Sequence, residues 1–529
     1  MISVEINGKK IEVPIGTTVL EASRQAGIEI PTLCDHPELK PYGGCRLCMV
    51  EVEGMRTLQS SCTLPVYPDM VVHTHTPKVI QGRKFVLEML FSERNHFCMY
   101  CQKTGGDCEL QNAAYGVDMT HWEYPPNWDN FPVDGTHPYL VFDHNRCILC
   151  RRCVRACAEL VGNHTLSVEN RGASCMIVAD SGLPMGESTC LQCGTCVQIC
   201  PTGALIDRRS AYIAGLHNSE HIKSICTGCS VGCGVEMLVR DNQLVRILGD
   251  WEAPVNKGLL CKMGRYWPLE EHRERIRTPL VRKDGVLTPA SWEEAFSVLA
   301  DRVLSLGAEN GTGLAALASG RLPAEALYAF RQIFADGLKG SIATSLDYTP
   351  ELLAATDGNP INGLDSLRTS DCVLIFGLDV SQSHPVTSYF IKRNLQSGTR
   401  LILVDSGKNE MEFFAESILE PREGTTELLI GGLLASLVEQ NLHHKAVPAN
   451  IDLADSGLES VSATTGVSQK EIDKVSRIVA TAQNPVFIIG SGLEASQMLA
   501  SLADMAEAVI LSPLEAANSR VAYLSLIHI

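Results

Sequence analysis

Two stretches of this 529-residue chain repeat one cysteine spacing at an offset of 43 residues. CILCRRCVRAC begins at Cys147 and CLQCGTCVQIC at Cys190; both read C-x2-C-x2-C-x3-C, and Pro201 follows the second. That run is associated with paired [4Fe-4S] clusters, in which the fourth cysteine of each run ligates the other cluster. The expected sets are Cys147, Cys150, Cys153 with Cys200, and Cys190, Cys193, Cys196 with Cys157. Zinc, which also suits CxxC pairs, is the alternative. Interlocked ligands hold two clusters close together, which serves one-electron transfer and has no evident use in hydrolysis. Arg151, Arg152 and Arg155 lie inside the first run and read either as a charge offset for anionic clusters or as a solvated basic patch.

Cysteine belongs to the first half of the chain, since of 21 cysteines only Cys372 lies beyond Cys261. Secreted disulfide scaffolds are short and carry an export signal, whereas MISVEINGKKIEV reads as an alternating strand, so a cytoplasmic, reducing compartment is expected. There, dense cysteines mean metal or redox chemistry. The best membrane candidate, LLIGGLLASLV at 428 to 438, is about half the roughly 20 residues a span needs and reads as a buried helix. Membrane attachment is therefore expected only through partners. A net charge of -17 argues against a general nucleic-acid binder, which needs a basic face. The length suggests about 3 to 5 domains.

Three further cysteine groups follow the same logic. Residues 2 to 13 alternate apolar and polar about Asn7-Gly8, a hairpin signal, and Thr17 and Thr18 precede a short helix that Gly27 ends. This opening leads into Cys34, Cys45, Cys48 and Cys62, with gaps of 10, 2 and 13 residues. The group resembles the [2Fe-2S] loop of plant-type ferredoxins in a β-grasp fold, with a longer first gap; zinc is again the alternative. Gly43 and Gly44 would let backbone N–H groups approach cluster sulfur. A helix is expected at about 78 to 92. CMYCQKTGGDCELQ then supplies Cys98, Cys101 and Cys108 and needs a fourth ligand, for which His96 is the nearest candidate. The other reading of His96 is a solvated side chain, or one that only supports the ligands. An aromatic, Pro-rich segment at 121 to 139 marks a boundary. The last group is Cys226, Cys229 and Cys233, closed by Cys261; Cys175 and Cys372 remain as buried packing residues.

Beyond Cys261 the strand-like stretches VLIFGL (373 to 378), LILVDS (401 to 406), PVFIIGSG (485 to 492) and AVILSP (508 to 513) alternate with helical ones. That is the pattern of doubly wound α/β structure. The 226 to 261 group resembles the N-terminal [4Fe-4S] domain of the molybdopterin oxidoreductases, formate dehydrogenases among them. The resemblance places Lys262 between cluster and pterin. GLDVSQSHPV (377 to 386) resembles their pterin-nucleotide loop, which would make Gly377 and His384 cofactor-binding, with Asp405 at a strand's carboxyl edge. Turn and cap roles are the alternative for Gly377 and Asp405. Formate dehydrogenases carry Cys or selenocysteine followed by His on the loop after the first helix of this half. The matching GSIATSLDYTPELL (340 to 353) has neither, which leaves Ser345 or Asp347 as oxygen ligands.

A molybdopterin-like half without its metal ligand, behind a segment with one histidine and three cysteines, is similar to the large, G-type iron-sulfur subunit of NADH:quinone oxidoreductase, complex I. In that family the histidine lies further upstream, where Arg94 stands here, and the last gap is one residue shorter. ERNHFC is closer in wording to the diaphorase subunit of NAD-linked hydrogenases. The full paired run, where complex I commonly has a single [4Fe-4S] cluster, is shared with NAD-linked formate dehydrogenases and iron hydrogenases.

The resemblance implies a multidomain chain, α+β and then α/β. Its parts would be a β-grasp [2Fe-2S] ferredoxin-like domain (1–78), a histidine-plus-three-cysteine [4Fe-4S] domain (79–120) and a two-cluster [4Fe-4S] ferredoxin-like domain (138–212). A [4Fe-4S] domain of molybdopterin oxidoreductase type (219–275) and an α/β half (276–529) would follow; the stop at AYLSLIHI leads us to expect that half to be incomplete. One [2Fe-2S] and four [4Fe-4S] clusters, about 18 irons per chain, are implied, with molybdopterin disfavoured. The expected activity is electron transfer from an NADH-oxidising flavoprotein subunit towards quinone, with no catalytic residue in this chain. That flavoprotein and other complex I-like subunits are the expected partners, and would hold the chain at the cytoplasmic face of the inner membrane. The rivals are a molybdenum- or tungsten-dependent formate dehydrogenase and an adaptor of an NAD-linked hydrogenase.

Overall fold

Asn7 and Gly8 take φ of 50° and 83° and fold Ile2–Ile6 back on Lys9–Val13 with Val4 opposite Ile11, as the sequence pattern predicts. Asn7 also reaches across the sheet: its side-chain amide donates to Thr74 Oγ1 at 2.7 Å and its side-chain oxygen accepts from the Thr74 N–H at 2.9 Å. This pair anchors Met70–His73, which runs parallel to Ile2–Ile6 with Val4 opposite Met70. The five-stranded sheet has the order Lys9–Val13, Ile2–Ile6, Met70–His73, Met49–Val52, Gln59–Ser60. Its residues Val4, Ile6, Val13, Val50 and Val72 share a core with Val19, Leu20 and Ala22 of the helix Val19–Gln25, and Cys48 and Cys62 belong to the same core. Reciprocal bonds start that helix, Glu21 N–H to Thr18 Oγ1 and Thr18 N–H to Glu21 Oε2, satisfying two donors that the first turn would otherwise leave open.

The computed structural model describes residues 1–307, 315–337, 342–345, 364–445, 457–490, 497–514 and 516–519. They fall into two compact units, Met1–Ser224 with Gly234–Leu269, and Ile225–Cys233 with Glu270–Ile529. The segment 219–275 is thus shared between the units.

In the first unit the helix Pro77–Glu93 starts with Pro77 at its first position and Thr76 as its cap, where a missing N–H costs nothing. The aromatic segment after residue 120 is not a free linker. Trp122 stacks on Phe91 at 5.4 Å, the Trp128 indole N–H donates to the Phe91 carbonyl at 3.1 Å, and the Arg94 guanidinium lies 3.5 Å over Phe131. Val133–Asp134 then adds a short strand to Leu140–Asp143, which also pairs antiparallel with Leu205–Asp207. The two cysteine runs lie between those last two strands in sequence, each feeding a short helix, Arg152–Arg155 and Thr195–Ile199.

The second unit holds a parallel sheet in the order Ser417–Leu419, Arg400–Val404, Cys372–Phe376, Pro485–Ile489, Val509–Leu511. Cys372–Phe376, Arg400–Val404 and Ser417–Leu419 succeed one another outward on one side, and the chain then returns to the other side at Pro485–Ile489. This reversal puts the sheet's topological switch point at the carboxyl ends of Cys372–Phe376 and Pro485–Ile489, the place where open α/β sheets bind ligands. Leu429, Ile430, Leu433, Leu434 and Leu437 bury the helix Thr426–Glu439 in the sheet's core, as its sequence predicts. Among the described residues no helix is long and apolar enough to cross a membrane.

Thr18→Ala should cost about 1 kcal/mol. In hydrogen exchange of the full chain, amides of Val19–Gln25 should exchange roughly fivefold faster, while those of Cys372–Phe376 stay unchanged.

Candidate metal centres

The loop from Cys34 to Cys48 gathers its thiols against the first sheet. The Cys45 N–H points at Cys34 Sγ at 3.4 Å. The thiol of Cys34 is held below its ordinary pKa by a hydrogen bond from Cys45, assisted by the amides of Cys45 and Gly44 and by Arg155; Cys45 is pushed up in return. Cys48 and Cys62 form a second such pair, and the charge of Cys34 acts on both. Four sulfurs in one small region, with backbone donors aimed at one of them, fit a thiolate-ligated cluster.

The repeat in sequence is also a repeat in backbone conformation. Leu149 and Arg151 in the first run have φ of 52° and 58°, and their counterparts Gln192 and Gly194 have 56° and 69°. Left-handed backbone costs a non-glycine residue roughly 1–2 kcal/mol, so three such residues need compensation. The compensation visible here is a turned-in amide: Leu149 N–H points at Cys147 Sγ and Gln192 N–H at Cys190 Sγ, both at 3.4 Å. Cys157, Cys190, Cys193 and Cys196 line one cavity. Cys147, Cys150, Cys153 and Cys200 act electrostatically on one another. The structure thus brings near one another the cysteines that the spacing groups. Burial pushes the thiols up, Cys147 and Cys190 to about 12 and Cys157 to about 11, so metal must displace protons to bind. Cys157 itself lies in a π-helical turn, Ala156–Val161, a feature that the sequence did not signal.

His96, Cys98, Cys101 and Cys108 line a second cavity, together with Thr202 and Gly203. His96 is only 8% exposed, which rules out a solvated side chain, and its Nε2 is buried with no hydrogen-bond partner. Burial first, and the charges of Arg146 and Arg94, lower its pKa to about 3, keeping the imidazole neutral, as a metal ligand must be. Arg94, at the place where the family carries its histidine, is spent elsewhere, donating to the carbonyls of His144 and Cys175. Among the described residues no three metal-binding side chains converge tightly enough for a single bare ion; a cluster core spreads its ligands wider than one ion does.

Cys226, Cys229 and Cys233 lie in the second unit and Cys261 in the first. The Cys226 N–H donates to the Cys233 carbonyl at 2.8 Å, and Gly264 N–H points at Cys261 Sγ at 3.4 Å. Lys262 extends 5.6 Å over the ring of Tyr139, which stacks on Tyr266 at 4.1 Å.

In the α/β unit Gly377 ends the strand Cys372–Phe376, at the reversal point of the sheet, with φ of 56° and its N–H on the Val404 carbonyl. Asp405 accepts from Gly407 N–H at 3.1 Å and from Asn409 Nδ2 at 3.1 Å. His384 is buried, with Nδ1 3.0 Å from Ser383 Oγ and Nε2 3.0 Å from the Leu514 carbonyl. Of the candidate ligand loop 340–353 only the strand Ile342–Ser345 is described; the Ser345 side chain and Asp347 lie outside the described residues.

Sequence reasoning treated Arg151, Arg152 and Arg155 as an offset or a solvated patch. Arg152 is 3% exposed and forms a bidentate pair with Glu109 at 2.6 and 2.8 Å, while Arg155 binds backbone carbonyls. Lys103 and Arg265 were missed, although each lies a few residues from a cysteine of a predicted site. Cys175 and Cys372 are buried at 8% and 0% exposure.

Known families match almost all of the chain in the same order. Residues 1–77 match a 2Fe-2S iron-sulfur cluster binding domain and 83–122 the NADH-ubiquinone oxidoreductase-G iron-sulfur binding region. Residues 137–206 match the ferredoxin-like domain of NADH-quinone oxidoreductase subunit 3, 220–268 the molybdopterin oxidoreductase Fe4S4 domain, and 275–514 molybdopterin oxidoreductase. The second G-type NADH-quinone oxidoreductase chain of Rhizobium meliloti (strain 1021) is 34% identical over 91% of this chain and 56% of its own length. NADPH-Fe(3+) oxidoreductase subunit alpha of Geobacter sulfurreducens is 29% identical over 93% and 60%. A Bacillus subtilis protein named for formate dehydrogenase is 26% identical over 93% and 56%. The chain thus spans little more than half the length of these curated relatives. The matched segments combine iron–sulfur cluster binding regions with a molybdopterin oxidoreductase region. Over this length the chain is similar to the large, G-type iron-sulfur subunit of NADH-quinone oxidoreductase.

Gly194, inside the second run, carries a sharp local requirement. A Cβ there would come within 2.4 Å of Arg265 Cδ and 2.5 Å of Tyr266 Oη. Gly194→Ala should lower iron by about four per chain, the content of one [4Fe-4S] cluster. Gly172→Ala, with φ of 63° but open space around it, should keep its iron.

Proposed function

We propose that this chain is the electron wire of an NADH-linked complex, taking electrons from an NADH-oxidising flavoprotein subunit and passing them towards quinone. The observation that carries this reading is His96: a buried, unpartnered imidazole nitrogen on the cavity of Cys98, Cys101 and Cys108, in a segment that matches the oxidoreductase-G region. The ligand sets are Cys34, Cys45, Cys48 and Cys62 on a [2Fe-2S] cluster, and four [4Fe-4S] sets: His96 with Cys98, Cys101 and Cys108; Cys147, Cys150 and Cys153 with Cys200; Cys190, Cys193 and Cys196 with Cys157; and Cys226, Cys229 and Cys233 with Cys261. When bound, each cluster accepts and releases one electron at a time. The chain's own residues keep water away, orient amides at sulfur and set the local charge, which together tune cluster potential. No acid, base or nucleophile of this chain takes part. Flavoprotein and quinone-reducing subunits are its partners, and they attach it to the cytoplasmic face of the inner membrane.

A second reading, a formate dehydrogenase, is favoured by the match of 275–514 to molybdopterin oxidoreductase and by the place of Gly377 at the sheet's reversal point. Three facts weigh towards a remnant half. The stretch 340–353 has no Cys-His pair, Asp405 is engaged by its own loop, and both ring nitrogens of His384 are engaged within the protein.

Metal analysis of the purified chain should find about 18 irons and neither molybdenum nor tungsten; stoichiometric molybdenum or tungsten with pterin would overturn the wire-only reading. His96→Ala should remove or convert one cluster's EPR signal and leave the others in place, and an unchanged spectrum eliminates His96 as a ligand.

A further inference from the structure

Three cationic side chains of the first unit, none of them in a ligand set, share one geometry. Lys103, between Cys101 and Cys108, is buried and donates from Nζ to the Cys200 carbonyl at 2.6 Å. Arg155, two residues before Cys157, donates from Nη2 to the Cys34 carbonyl and from Nη1 to the Lys40 carbonyl at 2.7 Å. Arg265, four residues after Cys261, is buried and donates from Nε to the Cys193 carbonyl at 2.6 Å and from Nη1 to the Ile247 carbonyl at 3.2 Å. Each cation rises from one cysteine group and ends on the backbone of a cysteine in another.

A neutral amide would serve as well if these contacts were only clamps. Burying a charge is costly unless an opposite charge lies near, and the partners here are carbonyls. Arg152, by contrast, meets a carboxylate, Glu109. The anion that would repay the burial of Lys103 and Arg265 is the thiolate-ligated cluster on either side. At the Lys103 junction the two loops lie in direct contact: a Cβ on Gly203 would lie 2.5 Å from Cys101 Sγ, and the Glu109 N–H donates to the Pro201 carbonyl at 2.9 Å.

We propose that Lys103, Arg155 and Arg265 are the junction residues of the wire, each fixing two cluster loops at a set separation and holding a positive charge between their anionic centres. This rests on the five-cluster reading. Lys103 joins the His96 group to the Cys147/Cys150/Cys153/Cys200 set, and Arg155 joins the [2Fe-2S] loop to the helical segment that carries Cys153 and Cys157. Arg265 joins the Cys261 loop to the Cys190/Cys193/Cys196/Cys157 set. The two paired clusters are then a hub with three neighbours, the [2Fe-2S] loop, the His96 group and the Cys261 loop. Each step moves one electron from a reduced cluster to an oxidised neighbour, and no bond forms or breaks. Because reduction adds negative charge, each cation stabilises the reduced form and raises the potential of the clusters beside it.

The test is an EPR-monitored redox titration of the full chain carrying Lys103→Met, Arg155→Met or Arg265→Met, with iron measured in each. At full iron, the clusters flanking the altered junction should move to lower potential by on the order of tenfold in the reduced-to-oxidised ratio, about 59 mV for one electron. The other clusters should not move. Unchanged potentials at full iron, or an equal shift at every cluster, overturn the proposal. If a methionine variant loses iron, the charge-keeping Lys103→Arg, Arg155→Lys or Arg265→Lys decides. Iron and potentials retained there support a charge at the junction, and iron lost there too marks a packing contact and overturns it. Iron far below about 18 in the unsubstituted protein would count instead against the five-cluster reading.

Discussion

A thiolate-ligated iron–sulfur cluster is a buried anion, and the first unit is organised around making that burial tolerable. A charge moved from water into an apolar interior is expensive unless donors and counter-charges meet it. The chain supplies both at short range. Amides of Cys45, Leu149, Gln192 and Gly264 turn towards cysteine sulfur, and cations end on the carbonyls of Cys34, Cys193 and Cys200. The overall charge of -17 conceals this local basicity.

The same need explains the backbone. To aim an amide at the sulfur two residues earlier, the chain bends into left-handed conformations, and it does so at matching places in both runs whatever the side chain, leucine, arginine, glutamine or glycine. Only at Gly194 does side-chain size decide, because Arg265 and Tyr266 occupy the space a Cβ would take. Packing and electrostatics are thus set by the same few contacts, which is why Gly194 acts as one local unit with Arg265 and Tyr266, which lie far from it in sequence.

The α/β unit answers to a different constraint. Its central strands Cys372–Phe376 and Pro485–Ile489 are apolar throughout and buried on both faces, so the sheet stands on hydrophobic burial. Its reversal point lies where such folds bind ligands, yet the polar groups at Asp405 and His384 are satisfied within the protein. A sheet of this kind persists as a scaffold whether or not its switch point is used.

Pattern alone made the repeated cysteine runs, the opening hairpin and the buried strands legible, because cysteine spacing and hydrophobic period are local properties of sequence. The buried helix at 428 to 438 was legible for the same reason. What only the tertiary structure decided is long-range. It sealed His96 in a cavity with three thiols, sent Arg94 to two distant carbonyls, folded the aromatic segment after residue 120 onto the helix Pro77–Glu93, and turned Arg152, Arg151 and Arg155 towards Glu109, Tyr42 and the Cys34 loop. The reason is physical: a ligand set is written in the gaps between cysteines, whereas the direction a long cationic side chain takes is fixed by which backbone folding brings within its reach.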